Sequence, residues 1–190
     1  MAARQRGRYL VNALGVTTLD AVSSLFHGGN ANVSWERALD GLSGEQAHLV
    51  PAGLPHSVAG IVAHVAYWQT YLLAVFAGDD PPAVEHAAQG WPDQARQVQP
   101  DSDPATSDPV NSDPVETDWE ALKLIFFSGL DTLAAHARDE AFLELLDRKG
   151  RPRIVPLTSF AGHGLYHLGQ VVTVRQLIGA WPPPGGGDTW

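Results

Sequence analysis

With 190 residues, 44% of them hydrophobic, the chain is long enough for one domain with a sizeable core and short for two. It contains no cysteine, which excludes disulfides, cysteine-ligated zinc and a protein thiol nucleophile and fits a cytoplasmic setting. The formal net charge of -9 is uneven: residues 79–118 hold ten acidic side chains and one basic one, Arg96, while the rest carries eleven of each sign, without the clustered Lys and Arg of a nucleic-acid surface.

Arg4, Arg6 and Arg8 ahead of Tyr9, Leu10 and Val11 have the look of a signal-peptide start, but Asn12, Thr17, Thr18 and Asp20 interrupt the apolar part too early. No apolar run is expected to reach the roughly 18 residues that span a bilayer, so no membrane partner is expected. Leu10, Leu14, Ala21 and Leu25, with Ala13 and Val22 beside them, recur at helical spacing and predict a helix over residues 9–26, stopped by His27-Gly28-Gly29-Asn30. A short helix follows with Ser34 as N-cap and Trp35, Ala38, Leu39 and Leu42 inward, and Ser43 to Gln46 has the spacing of a capping box. Residues 51–55 form a loop, and Ser57 is placed to cap a second long helix running to about Ala77. Its apolar stripe is Val58, Ile61, Val62, Val65, Leu72 and Phe76, with His64 on a flank shared by Gly60, Tyr67 and Tyr71.

Residues 79–118 change to proline, aspartate, serine and alanine, with Ser-Asp-Pro at 102–104, 107–109 and 112–114. Such a repeat buries little apolar surface and reads as a solvated linker inserted in the domain. Thr117-Asp118-Trp119-Glu120 has the form of a capping box, and Trp119, Leu122, Phe126, Leu130, Leu133 and Ala137 make the stripe of a third long helix. A short turn is expected at Phe142 to Leu146, a tight turn at residues 147–151 and a brief extended piece at residues 153–156. The fourth long helix is expected over residues 156–178, before a proline- and glycine-rich tail that folds back on the bundle. The four stripes predict an all-α, up-and-down-like four-helix bundle with short extra helices.

The chemistry concentrates in the fourth helix, where His163 and His167 stand four residues apart and so project from one face. Neutral imidazoles in that relation suit one divalent ion, zinc or nickel first, with iron or manganese as alternatives. Two ligands hold a metal weakly, and His64 in the second helix is the best candidate for a third. The alternative is a pair of hydrogen-bonded core histidines. His56 reads as a loop or helix-start residue, and His27, His48, His86 and His136 read as solvated. Gly162, Gly164 and Gly169 inside a helix imply either close helix packing or room at the site, and Gly60 clears space beside His64.

Three pieces together resemble the DinB/YfiT-like family of four-helix-bundle metalloproteins: Pro55 to Gln69 with His64, Gly162 to Gln170 with His163 and His167, and the ending Gly-Gly-Asp-Thr-Trp. The resemblance implies a divalent metal held by His64, His163 and His167, in a homodimer. It also implies an enzyme acting on a small-molecule substrate, either a metal-dependent hydrolase or a transferase or isomerase using a low-molecular-weight thiol. A non-catalytic metal-binding or stress-associated bundle is the competing expectation. Ala59-Gly60 replaces the Trp-Glu that often precedes the first ligand, and the Ser-Asp-Pro insertion is a second departure.

Overall fold

The computed structural model describes residues 16–29, 31–91 and 114–187. In these the chain forms seven α-helices and one 3₁₀ turn, with two isolated β-bridges and no strand. The helices are α1 (Thr18–His27), α2 (Trp35–Leu39), α3 (Gly44–His48), α4 (Val58–Ala77), α5 (Pro114–His136), α6 (Glu140–Glu144) and α7 (Ile154–Leu177); the 3₁₀ turn is Ala87–Gly90. The all-α bundle expected from the four stripes is therefore what the chain builds. Its pairing is specific: α4 packs chiefly on α5 and α7, and α1 packs on the same two helices from the opposite side. The consecutive long helices α1 and α4 thus lie across the bundle from each other, joined by the α2–α3 excursion.

Local chemistry sets where each helix starts. Thr17 caps α1 reciprocally with Asp20: the Asp20 N–H donates to Thr17 Oγ1 at 3.0 Å while the Thr17 N–H donates to Asp20 Oδ2 at 3.0 Å. The helix therefore starts later than its apolar spacing implied, and Leu10 and Leu14 lie outside the described residues. The buried face is also rotated. Ser23 and Phe26 point inward, with Leu19 and Val22 packed beside them, whereas Ala21 and Leu25 are exposed. Ser23 escapes a hydropathy reading because its hydroxyl is satisfied internally, donating to the Ala134 carbonyl at 2.8 Å.

Ser57 caps α4 as expected, accepting from the Gly60 N–H at 3.0 Å. This helix is 20 residues long and apolar enough, by length and composition, to cross a bilayer, which corrects the expectation that no run approaches that length. Half of its span is buried against the other helices instead. The stripe expected for α5 is borne out: Trp119, Phe126, Leu130 and Leu133 are buried, Leu122 packs partly buried beside them, and Ala137, just past the helix, is buried too, each large fully buried apolar side chain contributing about 1.5–3 kcal/mol. Trp119 also donates its indole N–H to the Leu42 carbonyl at 2.9 Å, tying α5 to the loop before α3.

The start of α5 differs from the sequence reading. The helix begins at Pro114, whose missing N–H is no loss in a first turn, so Thr117 lies inside the helix rather than at its cap. The same tolerance moves the start of α7. Arg153 is already helical in conformation (φ -60, ψ -21), and the extended piece expected at residues 153–156 is replaced by a bridge between Leu146 and Pro152 just before it. The described part of the tail returns to the bundle as expected. A Cβ at Gly41 would lie 2.6 Å from Pro184, and Arg175, buried at the end of α7, donates to the carbonyls of Ala38 (2.6 Å), Asp40 (3.0 Å) and Ala180 (3.0 Å).

Candidate metal centre

The pairing of α4 with α7 brings His64 against His163 and His167. Their Nε2 atoms converge: His163 Nε2 is 3.3 Å from His64 Nε2 and 2.9 Å from His167 Nε2. Nitrogens sharing a tetrahedral ion at bonds of about 2.0–2.1 Å would stand roughly 3.3 Å apart. His64 and His167 are buried and His163 is half-buried. Among the described residues, these three are the group of histidine or acidic side chains close enough to share an ion.

The outward nitrogens decide what the inward ones can do. His64 Nδ1 donates to the Gly90 carbonyl at 2.5 Å, and since a carbonyl only accepts, the proton of neutral His64 must sit on Nδ1. His167 Nδ1 donates to Gln170 Oε1 at 2.6 Å, and the amide of Gln170 donates in turn to the Tyr166 hydroxyl at 3.1 Å. Two Nε2 lone pairs therefore face inward, and a single N–H on His163 Nε2 would serve only one of them well. A cation satisfies all three at once, so the donor set fits a divalent metal.

Burial also holds the rings neutral. It is the first cause of the downward shift at each: His167 falls from 6.5 to about 4, helped by the neighbouring His163, and His163 falls by burial. His64 is lowered by burial against the opposing pull of its Gly90 hydrogen bond. Neutral imidazole is the form that binds a metal.

One wall of the centre comes from a stretch that reads as linker. The Ala87–Gly90 turn supplies the carbonyl for His64, and Trp91 stacks on the His64 ring at 3.8 Å with the planes 10° apart. On its other side Trp91 stacks on His56 at 3.6 Å, so His56 sits beside the centre without joining the three. Gly90 is needed there: a Cβ would come within 2.9 Å of Trp68 Nε1. The solvated reading thus fails for Gly90 and Trp91, although Ala88 and Gln89 just before them are exposed, while the Ser-Asp-Pro repeats at 102–104 and 107–109 lie outside the described residues. The signal that marked the exception was a tryptophan after a glycine in an otherwise acidic, proline-rich run.

Other expectations resolve locally. A Cβ at Gly162, Gly164 or Gly169 would meet nothing within 4 Å, so these glycines leave room rather than permit close packing. Tyr71 lines a cavity that reaches His163, whereas Tyr67 lines a separate, larger one of about 600 Å³ that touches none of the three histidines. His136 is not solvated; it stacks on Phe142 at 4.0 Å, and burial lowers its pKa.

The described chain is a helical bundle with three convergent imidazoles on two facing helices that could hold a metal ion, and comparison with known families places it. Residues 31–170 match the model of the DinB superfamily, and the chain belongs to that superfamily. The match includes His64, His163 and His167 and ends within α7. No curated protein and no solved structure matches the chain significantly.

Proposed function

We propose that the protein binds one divalent metal ion through His64, His163 and His167 and is an enzyme acting on a small molecule with water or a low-molecular-weight thiol as the nucleophile. The observation that carries the reading is the convergence of three Nε2 atoms whose outward nitrogens are committed to Gly90 and Gln170. When bound, a divalent ion supplies Lewis acidity that makes water or a thiol easier to deprotonate, and three neutral ligands leave its charge uncancelled.

The chain's own residues prepare the rest. Gly90 and Gln170 aim two rings, Trp91 shields one face of His64, and Gly162 and Gly164 leave space along α7. The described group has three members, and a site with three protein ligands and a position left over is the catalytic pattern rather than the closed structural one. The absence of any cysteine favours a nucleophile brought from outside.

Metal analysis of the purified chain is expected to give one divalent ion per chain, lost in His163→Ala and His167→Ala. Loaded protein is then incubated with model esters and, separately, with an electrophile and small thiols, using His167→Ala as control. Metal-dependent thiol consumption selects the transferase, and ester cleavage alone the hydrolase. Retention of stoichiometric metal in either alanine variant would refute the ligand set.

A further inference from the structure

Of the three convergent histidines, His163 also faces a cavity. It closes one end of a cleft of about 430 Å³ between α4 and the start of α7, within the size range of small-molecule sites. Trp68 and Tyr71 line it from α4, Phe160 and Ser159 from α7, and Arg151 from the turn before α7. Its walls are mainly aromatic and aliphatic, and Arg151 is the fully charged side chain among them.

The guanidinium is held in place. Its Nε and Nη2 engage Asp147 Oδ2 at 2.9 and 2.8 Å, while Asp147 Oδ1 accepts from the backbone N–H groups of Lys149 and Arg151 at 2.9 Å each. That arrangement fixes the fork without using Nη1, and Arg151 remains about half exposed. Residues 147–153 carry four basic side chains against the one aspartate. Arg148 pairs with Asp80 and Arg153 lies over Phe76 and Phe142, so Arg151 is the cation of this turn that lines the cleft. A positive turn at one side of an apolar slot favours a ligand with a flat body and one anionic end.

We infer that this cleft binds small aromatic carboxylic acids, with the carboxylate on Arg151 and the ring among Trp68, Tyr71 and Phe160. Bound so, the ligand's far end lies toward His163. The inference deepens the proposed enzyme by naming a substrate class, and it rests on that reading only for which end reacts, since the ring and carboxylate contacts are made by residues outside the metal group.

The test is calorimetric titration of the full chain, both zinc-loaded and treated with chelator, using 2-naphthoate, its uncharged methyl ester and inorganic phosphate. Saturable one-to-one binding of 2-naphthoate is expected in both forms, stronger than that of either comparison probe. Arg151→Gln should weaken it about tenfold, bringing acid and ester level. Ser159→Trp, an exposed position where a large side chain would fill the slot, should abolish binding while circular dichroism and zinc content stay unchanged. Equal affinity for acid and ester in the unaltered chain, phosphate binding as tight as that of naphthoate, or full binding in Ser159→Trp would overturn the inference. Zinc bound without naphthoate binding would refute the cleft alone, whereas naphthoate binding by a chain that takes up no zinc would refute the metal reading alone.

Discussion

Replacing Gly90 by alanine tests whether the root of the acidic segment positions a metal ligand. The new Cβ would sit 2.9 Å from Trp68 Nε1, 3.2 Å from Cε2 and 3.3 Å from Cζ2, so it meets the broad side of an indole rather than a flexible tip. Ordinary contact needs about 3.5–4.0 Å, and either the turn or the indole must give by roughly 0.6 Å or more. Trp68 is packed against the core and flanked by Tyr67 and Tyr71 at ring distances of 5.4 and 5.5 Å, which makes the short 3₁₀ turn the easier part to move. Its movement carries the Gly90 carbonyl away from His64 Nδ1, where the bond is now 2.5 Å. Loss of such an outer partner of a ligating histidine weakens metal binding by about 10–100-fold, or about 1.4–2.7 kcal/mol. The assay is competition for zinc against a chelating indicator, paired with denaturant unfolding of the metal-free protein to separate site damage from global loss. Gly90→Ala with unaltered zinc affinity would show that the turn does not aim His64.

Gln170→Leu should weaken zinc binding within the same 10–100-fold range, because His167 loses the acceptor that keeps its proton on Nδ1; unchanged affinity in the competition assay would refute that role. The metal-free protein should lose stability as pH falls from about 6.5 toward 4. The pKa values of His64, His163 and His167 are lowered by burial on folding, so the unfolded chain takes up protons first; His167 alone, at about 4, accounts for about 3 kcal/mol across that window. Unfolding midpoints that stay level between pH 7 and 5 would contradict the buried neutral rings. Arg175→Met should cost about 3 kcal/mol, since three carbonyls lose a charged donor and the bond to Ala38 is buried. A loss below about 1 kcal/mol in urea unfolding would mean that water replaces the guanidinium there.

The sequence by itself determined the helices and the residues able to bind a metal. Apolar spacing marks α4 and α5 because nearly every residue of their stripes ends up buried, and the i, i+4 relation of His163 and His167 follows from helix geometry alone. Spacing worked less well where a buried polar group completes the inward face, as Ser23 does in α1 through its bond to Ala134. It also gave late starts for α5, where the capping-box pattern at Thr117 masked a start at Pro114, and for α7, where Pro156 is the third helical residue rather than the first, the whole first turn tolerating a missing N–H. What only tertiary structure decided is which distant groups meet the histidines. The tautomer of His64 depends on a carbonyl 26 residues away, and the shield over its ring on a tryptophan that local composition assigns to a linker. A hydrogen bond to a backbone carbonyl leaves no mark in residue type, and a cleft between two helices exists only once their packing places Arg151 and His163 on one slot, so neither has a period or spacing by which a single sequence reveals it.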